Sequence, residues 1–273
     1  MTGRRESLAK TVAAVSGTVP YAILPAMDLL PTWLGGRTSC PACPAEKKVV
    51  EDAFTILRKH LGVERLHKAI VVEPTPEFFP DRYDASVETA TNLFLRVCGY
   101  MGIAGQSVRL TFWQDSPEAP LRVDGSAVCG FYAQDAGDLV SLNLAGLGDP
   151  EALVATMAHE LAHVILLNRC GVSRDEPHLE ALTDLATIYL GLGVFTSNTR
   201  LRRHGWIGGT TQYWKLVRRG YISPEMAGWA LSLFAWARGE TAPYWSRHLD
   251  ADPKGYLKQG LHYLRQTGET SFS

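Results

Sequence analysis

The sequence predicts an α+β fold, in which a small and mostly antiparallel sheet lies beside a central helix and a helical C-terminal part follows. Two observations carry this prediction. Short segments typical of strands occur between residues 69 and 144, where they alternate with helical segments. From residue 149 onward, apolar residues recur at helical spacing and no further strand-like segment follows.

The composition is that of an ordinary globular protein. The 273 residues are 46% hydrophobic and 20% charged, which is enough for a sizeable core in one domain with or without a small accessory part. A formal net charge of -1 argues against broad electrostatic binding to nucleic acid or to an anionic membrane. Five cysteines, an odd number in a chain this long, favour a reducing, cytoplasmic setting.

The first 44 residues predict an N-terminal arm ahead of the globular part. The mildly apolar run at 11–34 is interrupted by three prolines and an aspartate, and no compact export signal with a cleavage site is recognisable. No uninterrupted apolar stretch reaches the roughly 18 residues that a membrane span needs. We expect an amphipathic helix near 5–16 and then an extended, proline-rich segment.

The arm ends in a CxxC motif, Cys40-Pro41-Ala42-Cys43. Such a motif can be half of a zinc site or a redox pair, but no second CxxC accompanies it and no clear strand precedes it. We therefore expect a loop whose cysteines are buried or free.

Two helices and four strands are predicted between this motif and the central helix. Apolar residues at helical spacing and terminal glycines define the helices, while alternating or short apolar runs between turn residues define the strands. The helices are expected at about 45–61 and 86–100, and the strands at 69–73, 108–113, 128–133 and 138–144, the last two forming a hairpin.

The central helix has clear signals at both ends. Asp149 can cap it, Pro150 suits its first position, and Glu151 favours the positive end of the helix dipole. The helix is expected to run to about residue 168, before Gly171, and it is apolar around nearly all of its circumference, which predicts a buried helix.

Further helices are predicted to the end of the chain. Ser173 and Glu176 are spaced as a capping box for a helix that ends near Gly191 or Gly193. Residues 196–210 are polar and glycine-rich. The last helices are expected at about 211–219, 224–238 and 253–265.

The central helix carries two histidines and a glutamate with the spacing of a metal site. His159 and His163 are four residues apart, so on an α-helix both imidazoles project from one face. This arrangement suits two nitrogen ligands of a tetrahedral zinc ion, and Glu160 lies beside them, where it can hold and deprotonate a water. Two histidines on a buried helix also need partners. The pattern predicts a metal-dependent hydrolase.

A third ligand is expected from the next helix, where Glu176, Glu180 and Asp184 fall on one stripe. Glu180 is favoured because it is central and its side chain is long. Asp184 is shorter and Glu176 is expected to cap the helix, but both stay open as alternatives. His178 would point roughly 200° away from Glu180 around the helix, so a solvent-facing or capping role is expected.

The pattern His159-Glu160-x-x-His163 followed by Glu180-x-x-x-Asp184 resembles the zincin metallopeptidases, and within them the gluzincin group. The resemblance implies a zincin-like fold with an active-site helix and one Zn²⁺ ion. It implies that the two histidines and Glu180 are the zinc ligands and that Glu160 is the general base. Asp184 would orient His159 through a hydrogen bond.

The resemblance covers about residues 138–190 and implies two further features. The strand at 138–144 would be an edge strand that holds an extended peptide or protein substrate by main-chain pairing. A downstream tyrosine or histidine would stabilise the negative charge that develops on the substrate. Candidates for this role, each of which also fits a surface or packing position, are His204, Tyr213, Tyr244 and His248, whereas Tyr189 is expected on the opposite side of its helix.

The sequence thus predicts three parts, namely an arm with the CxxC loop at 1–44, a zincin-like catalytic core at 45–200, and a helical part at 201–273 packed on the core. The expected function is that of a cytoplasmic zinc metallopeptidase that binds neither nucleic acid nor membrane. Two alternatives remain. One is a zinc-binding protein with a structural or partner-binding role, and the other is a zinc hydrolase of non-peptide amides or esters.

Overall fold

The computed structural model describes residues 39–114, 122–123, 126–127, 129–135, 137–199, 201–208, 211–218 and 221–272. Within these ranges the chain forms eight α-helices and seven short strands. The helices are α1 (Pro44–Leu61), α2 (Val63–His67), α3 (Val87–Tyr100), α4 (Pro150–His163), α5 (Leu179–Tyr189), α6 (Gly193–Asn198), α7 (Pro224–Ala237) and α8 (Ala251–Thr267). The strands are β1 (Val108–Trp113), β2 (Arg122–Val123), β3 (Ser126–Ala127), β4 (Gly130–Asp135), β5 (Gly137–Asn143), β6 (Leu201–Gly208) and β7 (Thr211–Arg218). The helix expected near residues 5–16 lies outside the described residues.

A three-stranded sheet with the order β1-β5-β4 forms the β part of the core. β4 and β5 pair antiparallel, as the predicted hairpin requires, whereas β1 pairs with β5 in parallel. The sheet is therefore mixed rather than mostly antiparallel. Because β5 is central, its residues from Val140 to Asn143 are all buried.

The strand at 138–144 is not an edge strand, and this expectation was wrong. Its second side is occupied by β1, which pairs with it from Val108↔Asp138 to Trp113↔Asn143. Within the described residues, the edge of this sheet nearest the central helix is β4, which packs against α4.

Of the elements predicted before the sheet, both helices are confirmed and one strand is not. α3 begins behind Ser86, whose Oγ accepts a hydrogen bond from the Thr89 N–H at 3.1 Å. Residues 69–73 form extended chain instead of a strand, because no strand of the described part lies beside them. The Val72 N–H donates to the Gly191 carbonyl at 2.9 Å. Val72 is buried but Ile70 is exposed, so the apolar run is only partly covered by the core.

The central helix α4 starts where the sequence predicts. Asp149 Oδ1 accepts a hydrogen bond from the Ala152 N–H at 3.1 Å, and Pro150 occupies the first helical position. The α-helix ends at His163, and the predicted remainder continues as a π-helical turn, Val164–Arg169. This wider turn follows directly after the second histidine, and π-helical turns are frequent at functional sites.

The capping box predicted for the next helix is wrong. A helix capped by Ser173 would begin at residue 174, but α5 begins five residues later, at Leu179. Pro177 accounts for this delay, because it disfavours helical backbone at the residue before it. Ser173 instead organises a turn, in which its Oγ accepts from the Asp175 N–H at 3.1 Å. Glu176 therefore lies outside α5.

The polar segment expected from residue 196 begins as a buried helix, α6. The turn between α5 and α6 depends on Gly191, whose φ is 94°. A Cβ at this position would lie 2.1 Å from the Ile70 carbonyl oxygen, so the extended segment at 69–73 can pack here only against glycine.

The helix predicted at 211–219 is also wrong. This segment is β7, which pairs antiparallel with β6 from Leu201↔Arg218 to Gly208↔Thr211. Threonine, tyrosine, tryptophan and valine, all of which favour strands, supply half of β7, and consecutive glycines precede it.

Two long helices, confirmed close to their predicted bounds, complete the fold. α7 and α8 pack tightly because glycines lie at their contact, where a Cβ at Gly260 would lie 2.2 Å from Ser232 Oγ and one at Gly228 would lie 2.1 Å from Tyr256 Cβ. Buried apolar residues from Ala42 to Phe272 form one core. No helix in the described ranges combines the length and apolar character that a membrane span requires.

Candidate metal centre

Helices α4 and α5 pack side by side and bring three possible metal ligands together. Glu180 Oε2 lies 3.1 Å from His159 Nε2 and 3.3 Å from His163 Nε2. The three ligand atoms lie within 4.8 Å of one another, and they form the one such His, Cys, Asp or Glu group in the described part of the chain that could hold a metal ion. His163 is buried, and the other two side chains are partly exposed.

The spacing of these atoms suits a small tetrahedral cation. With metal–ligand bonds of about 2.0–2.2 Å, two ligands of a tetrahedral ion stand roughly 3.3 Å apart. The separations of 3.1 and 3.3 Å from Glu180 Oε2 to the two imidazoles match this value. Two imidazole nitrogens and one carboxylate oxygen are also a donor set that zinc accepts.

The imidazole of His159 is oriented from behind by Asp184. Asp184 Oδ1 lies 2.9 Å from His159 Nδ1, and its Oδ2 accepts a hydrogen bond from the Tyr221 N–H at 2.7 Å. Burial lowers the pKa of His159, but the hydrogen bonds with Asp184 and Glu180 outweigh it and hold this pKa well above its ordinary value. A carboxylate on Nδ1 keeps the proton on that nitrogen and directs the Nε2 lone pair to the metal position.

The imidazole of His163 is oriented by Thr183, a residue that the sequence did not single out. Thr183 Oγ1 lies 3.4 Å from His163 Nδ1 and donates its own proton to the Leu179 carbonyl at 2.8 Å. Because that proton is already used, the hydroxyl can only accept from Nδ1–H, which leaves Nε2 free for a metal. Thr183 is completely buried, so water does not compete for this contact.

The carboxylate of Glu180 is held by both histidines. Burial raises its pKa, but the contacts with His159 Nε2 and His163 Nε2 outweigh this effect and lower the pKa to about 2. Its side chain remains 27% exposed. The group therefore opens toward solvent on the Glu180 side, as a site that admits a further ligand must.

Glu160 lies beside this group under the edge strand β4. It is 6% exposed, and burial raises its pKa, while the nearby His159 and His163 act in the opposite direction. Its carboxylate accepts a hydrogen bond from the backbone N–H of Tyr132. Gly130 allows this close approach, since a Cβ there would lie 3.3 Å from Glu160 Cγ and 2.8 Å from Thr156 Cγ2.

Two tyrosines flank the two histidines, and neither was predicted from the sequence. The ring of Tyr132 is parallel to that of His163, with centroids 6.2 Å apart and an interplanar angle of 9°. The ring of Tyr221 lies over His159, with centroids 5.7 Å apart and an angle of 22°. The alternating pattern of the predicted strand could have placed Tyr132 near the helix, but no local signal places Tyr221 there.

The other predicted candidates do not lie at the ligand position. Asp184 contacts His159 Nδ1 and not the ligand position, and Glu176 and His178 lie before α5, where His178 is exposed. His248 Nε2 contacts Glu73 Oε2 at 2.8 Å, and Tyr244 lies under the Arg247 guanidinium. The Tyr189 hydroxyl donates to the Gly62 carbonyl, away from the site. The side chains of His204 and Tyr213 are not among those that the structure describes.

The CxxC motif forms a loop ahead of α1, as expected. Cys43 is exposed and caps the helix, Cys40 is half-buried, and both are free thiols. Burial raises the pKa of Cys40 to about 11, and a hydrogen bond from the Ala42 backbone only partly opposes this. Cys40 is therefore a weak nucleophile at neutral pH.

Comparison of the chain with protein-family models, with curated proteins and with solved structures gave no match.

Proposed function

We propose that this protein is a zinc-dependent hydrolase that cleaves peptide bonds. The observation that carries the proposal is the convergence of His159, His163 and Glu180 on one position, with the buried carboxylate of Glu160 beside it. Three protein ligands leave one position of a tetrahedral zinc ion open, which is the arrangement of catalytic rather than structural zinc sites. When bound, the ion would supply Lewis acidity at this open position.

Each protein group has a defined task in this proposal. His159, His163 and Glu180 hold the metal, and Asp184 and Thr183 keep the two imidazoles in the binding tautomer. These outer contacts matter because ligand orientation governs metal affinity.

Glu160 moves the proton in the proposed reaction. Its carboxylate accepts a proton from the attacking water and then returns it to the leaving amine. Burial raises the pKa of Glu160, which makes the carboxylate a stronger base than an exposed glutamate. The hydrogen bond from the Tyr132 N–H holds the carboxylate in place against β4.

Two other functions remain as alternatives, namely a zinc site with a structural or partner-binding role and a hydrolase of non-peptide amides or esters. A structural role would leave the buried Glu160 without a task, since such sites need no base. The hydrolase of non-peptide amides or esters uses the same residues and differs only in the substrate.

The Glu160→Gln variant tests the proposal. Glutamine keeps the shape of the side chain and removes its basicity, so the variant should keep its metal and its fold but lose hydrolysis of a broad peptide library. Glu151→Gln, at an exposed position of the same helix, is the matched control and should keep activity. Equal turnover by wild type and Glu160→Gln would exclude the proposed mechanism, and turnover of small amides or esters alone would favour a hydrolase of non-peptide substrates.

A further inference from the structure

Tyr221 combines a fixed backbone with an open side chain next to a metal ligand. Its N–H donates to Asp184 Oδ2 at 2.7 Å, and Asp184 Oδ1 holds His159 Nδ1 at 2.9 Å. The same carboxylate therefore positions both the ligand and the backbone of Tyr221.

A second anchor follows two residues later. Ser223 Oγ donates to Glu46 Oε1 at 2.8 Å and accepts from the Met226 N–H at 3.1 Å, which fixes the start of α7 against α1. The residue between them, Ile222, is buried. The backbone at Tyr221 is thus held by its own N–H and by the two residues that follow it, through contacts that the ring does not make.

The ring itself is only half covered. It lies nearly parallel to the His159 imidazole, at 5.7 Å between centroids and an angle of 22°, and yet Tyr221 is 54% exposed. Exposed aromatic surface of this kind, beside a candidate metal ligand, can contact a molecule that binds there.

The other flanking tyrosine differs in this respect. Tyr132 is partly buried, its hydroxyl donates to Asp138 Oδ1 at 2.8 Å, and the Arg174 guanidinium lies 5.4 Å from the centre of its ring. Burial, helped by Asp138, raises its pKa to about 12. The two tyrosines thus differ in exposure, since Tyr132 is partly buried and Tyr221 is 54% exposed.

From this asymmetry, and relying on the proposed peptidase function, we propose that Tyr221 determines substrate specificity by stacking on an aromatic side chain beside the scissile bond. Aromatic rings prefer offset-stacked or edge-to-face partners, and the open surface of Tyr221 supplies one within a side-chain length of the ligand His159. The preferred substrate is then a peptide with phenylalanine, tyrosine or tryptophan at one of the two residues that flank the cleaved bond.

Binding of two small metal chelators tests this proposal without turnover. The zinc-loaded protein is titrated by calorimetry with a hydroxamate that carries a benzyl side chain and with one that carries a methyl group. The ratio of the affinity for the benzyl compound to that for the methyl compound is the quantity compared. In wild type this ratio should be about threefold to tenfold larger than in Tyr221→Ala. Tyr221→Phe, which keeps the ring, should keep the wild-type ratio, whereas Tyr221→Leu, which keeps bulk but not planarity, should resemble Tyr221→Ala.

Tyr244→Ala is the matched control, because Tyr244 is an exposed tyrosine that lies under Arg247. The Tyr244→Ala variant should keep the wild-type ratio of benzyl to methyl affinity. The proposal is overturned if Tyr221→Ala keeps the wild-type ratio, if Tyr221→Phe loses it, or if neither hydroxamate binds the metal-loaded protein. If the benzyl preference holds while no peptide is hydrolysed by wild type, the peptidase function fails and the aromatic subsite stands.

Discussion

The hydroxyl of Thr183 lies 3.4 Å from Nδ1 of His163, while Nε2 of the same ring lies 3.3 Å from Glu180 Oε2. A buried threonine thus fixes the tautomer of one histidine, as the carboxylate of Asp184 does for the other. The two imidazoles are held by different chemistry, and each contact makes a separate prediction.

Thr183→Val should weaken metal binding by about tenfold or more, because valine keeps the shape but removes the acceptor for His163 Nδ1–H. Competition with a chromogenic chelator measures the affinity. Thr183→Ser keeps the hydroxyl and should bind metal nearly as well as wild type. Equal affinities for the valine and serine variants would show that the hydroxyl does not orient His163.

Asp184→Asn should weaken metal binding by about 10- to 100-fold. Both oxygens of Asp184 accept hydrogen bonds, from His159 Nδ1 and from the Tyr221 N–H, whereas an amide has a single acceptor oxygen. Asp175→Asn, at an exposed position, is the control. Unchanged affinity in Asp184→Asn, measured with the same chelator, would contradict the role of this carboxylate.

Gly130→Ala should separate β4 from α4 and impair hydrolysis. The new Cβ would lie 2.8 Å from Thr156 Cγ2 and 3.3 Å from Glu160 Cγ, and overpacking of this kind costs about 1–3 kcal/mol. Urea unfolding and peptide turnover measure the two effects. Thr156→Ser removes the crowded methyl and keeps the hydroxyl that donates to the Ala152 carbonyl. The double variant, Gly130→Ala with Thr156→Ser, should therefore recover part of the lost stability and part of the lost turnover. Unchanged stability and turnover in Gly130→Ala would show that the glycine is not required for the contact, and failure of the rescue would show that the Thr156 methyl is not the crowded group.

Gly260→Ala tests the packing of α7 against α8. A Cβ at this position would lie 2.2 Å from Ser232 Oγ and 2.8 Å from Ser232 Cβ, so we expect a loss of about 1–3 kcal/mol in the free energy of unfolding. Gly255 lies on the same helix with open space around it, and Gly255→Ala should stabilise the protein by about 0.5–1 kcal/mol. Equal effects of the two substitutions would contradict the close helix contact.

The elements with strong local signals were predictable from the sequence. Asp149 and Pro150 mark the start of α4, and the spacing of His159, His163 and Glu180 is enough to place these side chains together once two helices pack. Local patterns of this kind depend on neighbouring residues along the chain, so they survive without knowledge of the fold.

The features that the sequence did not predict depend on distant contacts. The strand at 138–144 became central because β1, whose own sequence does not specify a partner, pairs with it. The segment at 69–73 has the pattern of a strand but lies against the Gly191 turn. Tyr221 reaches His159 through a hydrogen bond to Asp184, 37 positions earlier, which no local pattern encodes.

The metal content of purified protein tests the central claim most directly. After preparation with zinc and removal of loosely bound ions, elemental analysis should find about one zinc ion per chain in wild type and in Glu160→Gln. His159→Ala and Glu180→Ala should retain little or none. No bound divalent metal in wild type, or unchanged metal content in His159→Ala, would contradict the assignment of the metal centre.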